Sequence, residues 1–215
     1  MIYKLLYGMT LSVFVVAGAV PALANGVLDG PYIGVKGGRD TYHMKYTATY
    51  DDGIDTGSAT VDNIGGTGFQ GGIFAGYDLE VSGSHLAVEG EYDFGSADTV
   101  FSVTANGLTL ATTIEARHSF GFSARYGYEV LPRAMLYVRG GWVQTNFKSS
   151  DGSSDNLDGW RFGGGIELGL SRRVSLRAEY LYTDYNNLSY VDPGISTETL
   201  SVSGDQFNLG LAVRF

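Results

Sequence analysis

Cysteine is absent from the 215 residues of this sequence, and proline occurs only 4 times. Without cysteine the chain has no disulfide bonds, no thiolate metal ligands, no cysteine nucleophile and no lipid attached through a thiol. Basic residues are few, 14 against 23 acidic ones, so nucleic acid is not expected as a partner. Beyond the N-terminal leader, no apolar run approaches the roughly 20 residues of a membrane-spanning helix. If the chain spans a membrane, it must do so with strands.

The N-terminal residues have the layout of a secretory signal peptide. A lysine near the start precedes an apolar run from Leu11 to Val20. Ala22 and Ala24 then form a small-residue cleavage motif. An uncleaved membrane anchor is the alternative, but the run is short and the cleavage motif follows it directly. We therefore predict a signal peptide over residues 1–24 and a single domain over residues 25–215.

Alternation of period two recurs along the rest of the chain, whereas helical periodicity is hard to find. We predict eight antiparallel strands, over residues 32–42, 67–79, 85–95, 112–128, 134–146, 159–170, 174–185 and 204–215. Three connections are tight turns, and the other four are long and polar, over residues 43–66, 96–111, 147–158 and 186–203. The even strand number and the alternation of short and long connections are typical of bacterial outer-membrane barrels. The predicted fold is all-β, an eight-stranded antiparallel transmembrane barrel with an up-and-down meander.

Sorting strand positions by parity separates apolar from charged side chains. The face that includes Phe215 carries glycine, aliphatic and aromatic residues, with no charge in mid-strand. The opposite face carries the charges: Lys36, Arg117, Arg125, Arg139, Arg161, Arg177 and Arg214 against Asp78, Glu89, Glu91, Asp93, Glu115, Glu167 and Glu179. A soluble barrel would have the reverse arrangement. The pattern therefore predicts lipid outside and a charged lumen inside, since an outward charge at mid-bilayer costs about 2–4 kcal/mol.

Several short motifs, in this order and spacing, resemble the OmpA-type transmembrane domain over essentially the whole predicted domain. They include Ile33-Gly34-Val35-Lys36, Phe74-Ala75-Gly76-Tyr77, Val88-Glu89-Gly90-Glu91-Tyr92, Ala124-Arg125-Tyr126-Gly127-Tyr128 and Leu176-Arg177-Ala178-Glu179-Tyr180. In the order and spacing of these motifs, the sequence is similar to stand-alone porin-like surface proteins and to opacity-type proteins. The resemblance implies a protein of the Gram-negative outer membrane, expected to be a monomer.

The resemblance also implies an ion-pair network inside the lumen. Its members would be Lys36, Glu89, Arg125, Glu167, Arg177 and Glu179, and Arg139 lies on the same face. The implied pairs are Glu89 with Arg177 and Arg125 with Glu167. Eight strands leave an interior just wide enough for side chains, and an unpaired charge there is costly. Two interpretations stay open: a packed polar core, or a gate whose pairs exchange to pass ions.

The last strand alternates apolar residues and ends on an aromatic side chain. In the resembled family such a strand is the signal for the outer-membrane assembly machinery. The resemblance therefore assigns that role to Phe207, Leu209, Leu211, Val213 and Phe215. The other expected partners are outer-membrane lipid and lipopolysaccharide.

No catalytic constellation, metal site or cofactor site is predicted. The three histidines, His43, His85 and His118, are scattered and have no ligand spacing. His118 and Ser119 are adjacent in a strand, so their side chains should point to opposite faces rather than act together. The acidic residues near Asp51 and Asp151 do not complete a calcium-binding loop, and solvated charge is the simpler interpretation.

Two functions from different classes are compatible with these observations. The first is a structural and surface-interaction protein that supports the envelope and presents acidic loops to a host or surface ligand. The second is a narrow porin-like channel for ions or very small solutes.

Overall fold

The computed structural model describes residues 28–51, 56–105, 108–149, 154–192 and 196–215. Within them the chain forms nine strands: β1 (Gly30–Asp51), β2 (Thr56–Val81), β3 (Ser84–Ala105), β4 (Leu108–Leu131), β5 (Ala134–Ser149), β6 (Ser154–Gly169), β7 (Val174–Tyr185), β8 (Leu188–Asp192) and β9 (Ser196–Arg214). In the described part of the chain no helix is long and apolar enough to cross a membrane. The predicted signal peptide, with its cleavage residues Ala22 and Ala24, lies outside the described residues.

The strands close into one antiparallel barrel, because β1 pairs with β2 on one side and with β9 on the other. The short β8 continues the course of β7 after an interruption at Asn186 and Asn187, and it pairs with the start of β9. The barrel wall therefore consists of eight strand positions, and β7 and β8 together occupy one of them. The predicted eight-stranded up-and-down barrel is confirmed.

Tight turns join the strands at one end of the barrel and set their register. Ser82 and Gly83 both have positive φ, 55° and 78°, as a two-residue hairpin turn requires. Arg133, in the next turn, also has a positive φ of 69°. In the third turn, Ser171 Oγ accepts a hydrogen bond of 3.1 Å from the backbone N–H of Val174. By the usual arrangement of these barrels, this is the periplasmic end.

The strands extend further at the opposite end than the sequence predicts. β1 and β2 stay paired up to Asp51 and Thr56, and β3 and β4 up to Ala105 and Leu108. The long connections predicted over residues 43–66 and 96–111 are mostly paired strand, so their predicted extent was wrong. Segments rich in serine, threonine and glycine were interpreted as loops. Two such segments can pair with each other as a hairpin when the strands below them already hold them side by side.

The outer part of the barrel divides into two lobes. Pairing between β2 and β3 ends at Gln70 and Gly95, and pairing between β6 and β7 ends at Gly159 and Tyr185. Above these levels, in the described residues, the outer parts of β1, β2, β8 and β9 form the first lobe. The outer parts of β3, β4, β5 and β6 form the second lobe. The strands that flank each gap consequently have an edge without a strand partner.

The two faces of the wall differ in chemistry, as the parity pattern predicts. Outward positions carry exposed aliphatic and aromatic side chains on every long strand, for example Val35, Phe69, Val88, Val138 and Phe162. Inward positions of the same strands are buried and charged up to about the level where the two gaps begin. Beyond that level the inward side chains become apolar.

Candidate functional site: the barrel lumen

The lumen charges form one connected network with two carboxylate centres, Glu89 and Glu167. Glu89 accepts a hydrogen bond of 2.6 Å from Arg177 Nη1, and Arg139 Nη1 lies 3.1 Å from its other oxygen. Tyr32 Oη donates to it at 2.9 Å. All these side chains are almost fully buried, so their charges are compensated by one another and not by water.

Glu167 is the second centre and lies closer to the periplasmic end. Arg214 Nη2 donates to it at 2.6 Å, and Ser175 Oγ at 2.6 Å. Arg125 and Arg177 approach its remaining oxygen, each at 3.3 Å. Strands β4, β6, β7 and β9 therefore meet at a single carboxylate.

A third group lies further out and holds the remaining pairs. Lys36 Nζ lies 2.6 Å from Glu91 and 2.8 Å from Asp93, and Arg161 reaches the same two carboxylates at 2.9 and 3.3 Å. Arg139 connects this group to the first centre through Glu91, at 3.1 Å. The network thus runs across the whole charged part of the lumen.

Aromatic rings fill the space that the charges leave. The Arg177 guanidinium lies 4.4 Å from the Phe74 ring centroid, and that of Arg125 lies 4.6 Å from the Tyr137 ring centroid. Phe74 can enter the lumen because Gly34 opposite it has no side chain; a Cβ there would overlap the ring. The arginines are therefore fixed by packing as well as by charge.

The lumen is filled by apolar side chains at its outer end. This outer core consists of Tyr42, Met44, Val143, Phe147, Leu157, Tyr185 and Val202, all 8% exposed or less. The Phe147 ring meets those of Tyr42 and Tyr185 edge-on, each at a centroid distance of 5.6 Å. The charged lumen thus ends beneath a layer that has the composition of a soluble protein core.

The periplasmic end of the lumen is occupied as well. Leu28, which precedes β1, is 0% exposed and packs against Met135 and Tyr137. Beside them, His85 Nδ1 lies 2.7 Å from Asp78, and Asp78 also meets Arg125 at 3.2 Å. Side chains from before β1 and from the periplasmic ends of β2, β3 and β5 therefore occupy this end.

The predicted site residues fall into clear groups. Lys36, Glu89, Arg125, Arg139, Glu167, Arg177 and Glu179 are all buried and lie together in the network. The structure contains both implied contacts, Glu89 with Arg177 and Arg125 with Glu167. Phe207, Leu209, Leu211, Val213 and Phe215 face outward and are 42–74% exposed.

Two parts of the parity assignment need correction or qualification. Arg117 is exposed, whereas the parity pattern predicts an inward side chain, because the register of β4 shifts at this residue against both β3 and β5. Such an irregularity changes the face that a residue occupies. The side chain of Glu115 lies outside the described ones.

Sequence reasoning missed Asp40, His85 and the outer core. Asp40 and His85 lie inside the predicted strands 32–42 and 85–95, on the same inward face as Lys36 and Glu89, so parity applied to every position would have included them. Met44 continues the inward series past residue 42, in a segment that was assigned to a loop.

The histidines and acidic residues bear on the expectation that the chain forms no metal site and no serine–histidine pair. No cluster of three or more histidine, aspartate or glutamate side chains suited to a metal ion occurs among them. His118 faces outward and stacks on Tyr92 at 6.2 Å, while Ser119 is buried inside. These two side chains therefore cannot act together.

An apolar exterior around a closed barrel with a charged, paired interior defines a transmembrane barrel of the bacterial outer membrane. The family described as "Outer membrane protein beta-barrel domain" matches residues 10–215. The chain belongs to this family, and its place is the outer membrane of a Gram-negative bacterium.

Two relatives and one solved structure illustrate the similarity. The chain is 28% identical over 200 residues to the 31 kDa outer-membrane immunogenic protein of Brucella melitensis biotype 1, covering 86% of this chain and 83% of that protein. It is 27% identical over 204 residues to the 22 kDa outer membrane protein of Rhizobium leguminosarum bv. viciae, covering 93% and 83%. The outer membrane protein OprG from Pseudomonas aeruginosa has the same fold, with a TM-score of 0.51, 13% identity and coverage of 88% of this chain and 99% of that one.

Proposed function

We propose that this protein is a structural outer-membrane barrel with a sealed lumen, and that its two outer lobes are a surface for interactions outside the cell. The observation that carries the proposal is the outer core. It places packed apolar side chains across the outer end of the lumen, above the charged network.

The outer core opposes the alternative function of a narrow channel. An ion that crossed it would lose its water against phenylalanine, valine, leucine and methionine side chains, and such constrictions exclude both water and ions. Val143 is 0% exposed at its centre, and the aromatic rings of Tyr42, Phe147 and Tyr185 pack edge-on around it. Passage would require this layer to come apart.

The charged network also supports a structural role. A gating mechanism needs pairs that exchange partners, but Glu89 and Glu167 already bind several cations each. Removing one buried partner costs about 3–5 kcal/mol, because the other charge is then left without compensation. Such pairs are better suited to fixing eight strands in one register than to passing ions.

The outer lobes provide the interaction surface. The outer half of β2 pairs with β1 on one edge, and its other edge faces the gap beside β3. Free strand edges recruit extended polypeptides by adding a strand to the sheet. The acidic residues that the sequence carries between residues 51 and 62 and between residues 151 and 158 favour basic partners. We propose that lipopolysaccharide contacts the exposed apolar side chains on the outward face of the wall. The Brucella relative is described as immunogenic, and we propose that this chain too displays its outer part at the cell surface.

We propose no enzymatic activity and no cofactor for this barrel. The arginines of the lumen and all of its buried carboxylates except Asp40 are paired with each other, so they are not available to a substrate. We further propose that the outward face of β9, together with Phe215 directly after it, is recognised by the outer-membrane assembly machinery. Its alternating side chains point into lipid once the barrel has formed.

Cysteine labelling on whole cells tests both parts of the proposal, since the natural chain has no cysteine. Ser58→Cys places a thiol on the exposed outer half of β2, and Val143→Cys places one in the outer core with little change in volume. A small, charged, membrane-impermeant thiol reagent should label the first quickly and the second only after the protein is unfolded. Ser171→Cys, in an exposed periplasmic turn, is the matched control and should stay unlabelled in intact cells.

Rapid labelling of Val143→Cys in the folded protein would overturn the sealed lumen. Failure to label Ser58→Cys would overturn surface display. The two parts of the proposal can therefore fail separately.

A further inference from the structure

A small cavity lies at the base of the gap between β2 and β3, just below the outer core. It is lined by Asp40, Tyr42, Gln70, Asp93, Gly95, Arg117, His118, Ser119 and Thr145. Its volume is about 10 Å³, which is close to the space that one water molecule or one small ion needs. The lining combines inward residues with exposed ones, so the cavity lies between the lumen and the outside.

Asp40 is the unusual member of this lining. It is 5% exposed, and it is the one buried lumen carboxylate for which the described residues provide no salt bridge. Its Oδ2 accepts a long hydrogen bond of 3.4 Å from Tyr42 Oη, and Gln206 also hydrogen-bonds the carboxylate. Its Oδ1 is buried without a hydrogen-bond partner. A buried charge with so little compensation is costly, so it calls for a further partner.

The charges of the lumen indicate which sign that partner has. Among the described residues, the lumen buries seven carboxylates but only six lysine or arginine side chains. His85 does not supply the difference at this place, because it lies against Asp78 in the hairpin at the other end. Among the described ion pairs, Asp40 is therefore the buried carboxylate that lacks a cation beside it.

The chemistry of the cavity favours a hard monovalent cation. Carboxylate, amide and hydroxyl oxygens come from Asp40, Gln70, Ser119 and Thr145, and hard cations bind oxygen ligands. The nearby Asp93 is already shared by Lys36 and Arg161, so it adds little negative charge. Arg117 at the exposed side disfavours a divalent ion more than a monovalent one. We propose that Asp40 binds one sodium ion, which enters from the external medium through the gap between β2 and β3.

The proposal is tested on the full refolded barrel in detergent micelles. The temperature at which the folded, fast-migrating gel band disappears is measured in sodium chloride and in choline chloride at equal ionic strength, because choline is too large for the cavity. The midpoint should rise by roughly 5 °C from choline to 300 mM sodium, as expected for a ligand that binds only the folded state. Asp40→Asn should remove this difference, and the matched surface variant Asp205→Asn should retain it.

Three results would overturn the proposal. One is an equal midpoint of the natural barrel in sodium and choline, which would leave a water molecule or a proton on Asp40. Another is a sodium effect that persists unchanged in Asp40→Asn. If that variant does not fold, sodium-23 NMR of the natural barrel tests the site instead. The sodium signal should broaden when the barrel is added and should sharpen again when excess lithium displaces the bound ion. A signal that does not broaden would refute the site.

Discussion

Glu89 illustrates what a single charged residue does in a barrel of this width. Three arginines from three different strands approach its carboxylate, Arg177 at 2.6 Å, Arg139 at 3.1 Å and Arg125 at 3.9 Å. Glu91, two residues further along β3, likewise meets three cations from three strands, Lys36, Arg139 and Arg161. Glu89 therefore acts as a cross-link between β3 and the opposite wall, which an apolar side chain of the same size would not provide.

Removing this cross-link should destabilise the barrel strongly. Glu89→Gln should lower the free energy of unfolding by about 3 kcal/mol, because it leaves buried arginines without their counter-charge. Arg177→Gln should cost a similar amount. The double variant should cost clearly less than the sum, since the two groups compensate one another. Urea unfolding of the refolded barrel measures all three.

The exposed Glu198→Gln serves as the control and should change stability by no more than about 0.5 kcal/mol. If Glu89→Gln and Arg177→Gln were additive, the pair would not be a unit, and the interpretation of the lumen as a connected network would be wrong.

The two faces of strand β9 have different roles. Its inward residues, Asn208 and Arg214, bind partners in the lumen, and its outward residues meet lipid. Phe215 is 74% exposed and contributes little to packing; its backbone N–H donates to the Pro31 carbonyl oxygen at 3.1 Å. The Phe215 side chain is therefore accessible to a recognition partner and contributes little to the stability of the folded barrel.

Deletion of Phe215 should consequently impair assembly more than stability. We expect the amount of protein in the outer membrane to fall several-fold, while the refolded truncated barrel unfolds at nearly the same urea concentration. Phe69→Ala, which removes a phenylalanine that is 79% exposed on β2, should leave the membrane level unchanged. A normal level of the truncated protein would show that Phe215 is not part of an assembly signal.

The elements also show where sequence patterns stop being informative. In the strand segments that cross the membrane, one face must be apolar and the other polar. Because every residue there follows this rule, these segments could be predicted from the sequence. The outer extensions of β1 to β4 follow no such rule on their exposed side, so Thr56 to Thr60 look like a loop. Their pairing is decided by the neighbouring strand, which local composition does not reveal.

The whole molecule inverts its chemistry along the barrel axis. In the membrane the wall is apolar outside and charged inside, and in the outer part it is apolar inside, with Met44 and Phe147 buried, and polar outside. The membrane part has its apolar side chains outside because lipid surrounds it, and the outer part has its polar side chains outside because water surrounds it. Parity along the strands predicts the first half, whereas the second depends on how far the strands extend and on which lobes face each other.

This inversion explains why a lumen rich in charge need not conduct. A chain of carboxylates and arginines resembles a polar pathway only if water reaches it from both ends. Here Val143 and its neighbours cover the outer end, and Leu28 with Met135 fills part of the periplasmic end. The seal, more than the network, separates a structural barrel from a channel.

Planar-bilayer recording of the refolded barrel tests the sealed lumen most directly. The natural protein should give no resolved conductance steps, whereas the variant Phe147→Ser with Tyr185→Ser, which opens the outer core, should leak. Steady steps from the natural protein, with a size that changes on Glu89→Gln, would contradict the account and identify the network as an ion pathway.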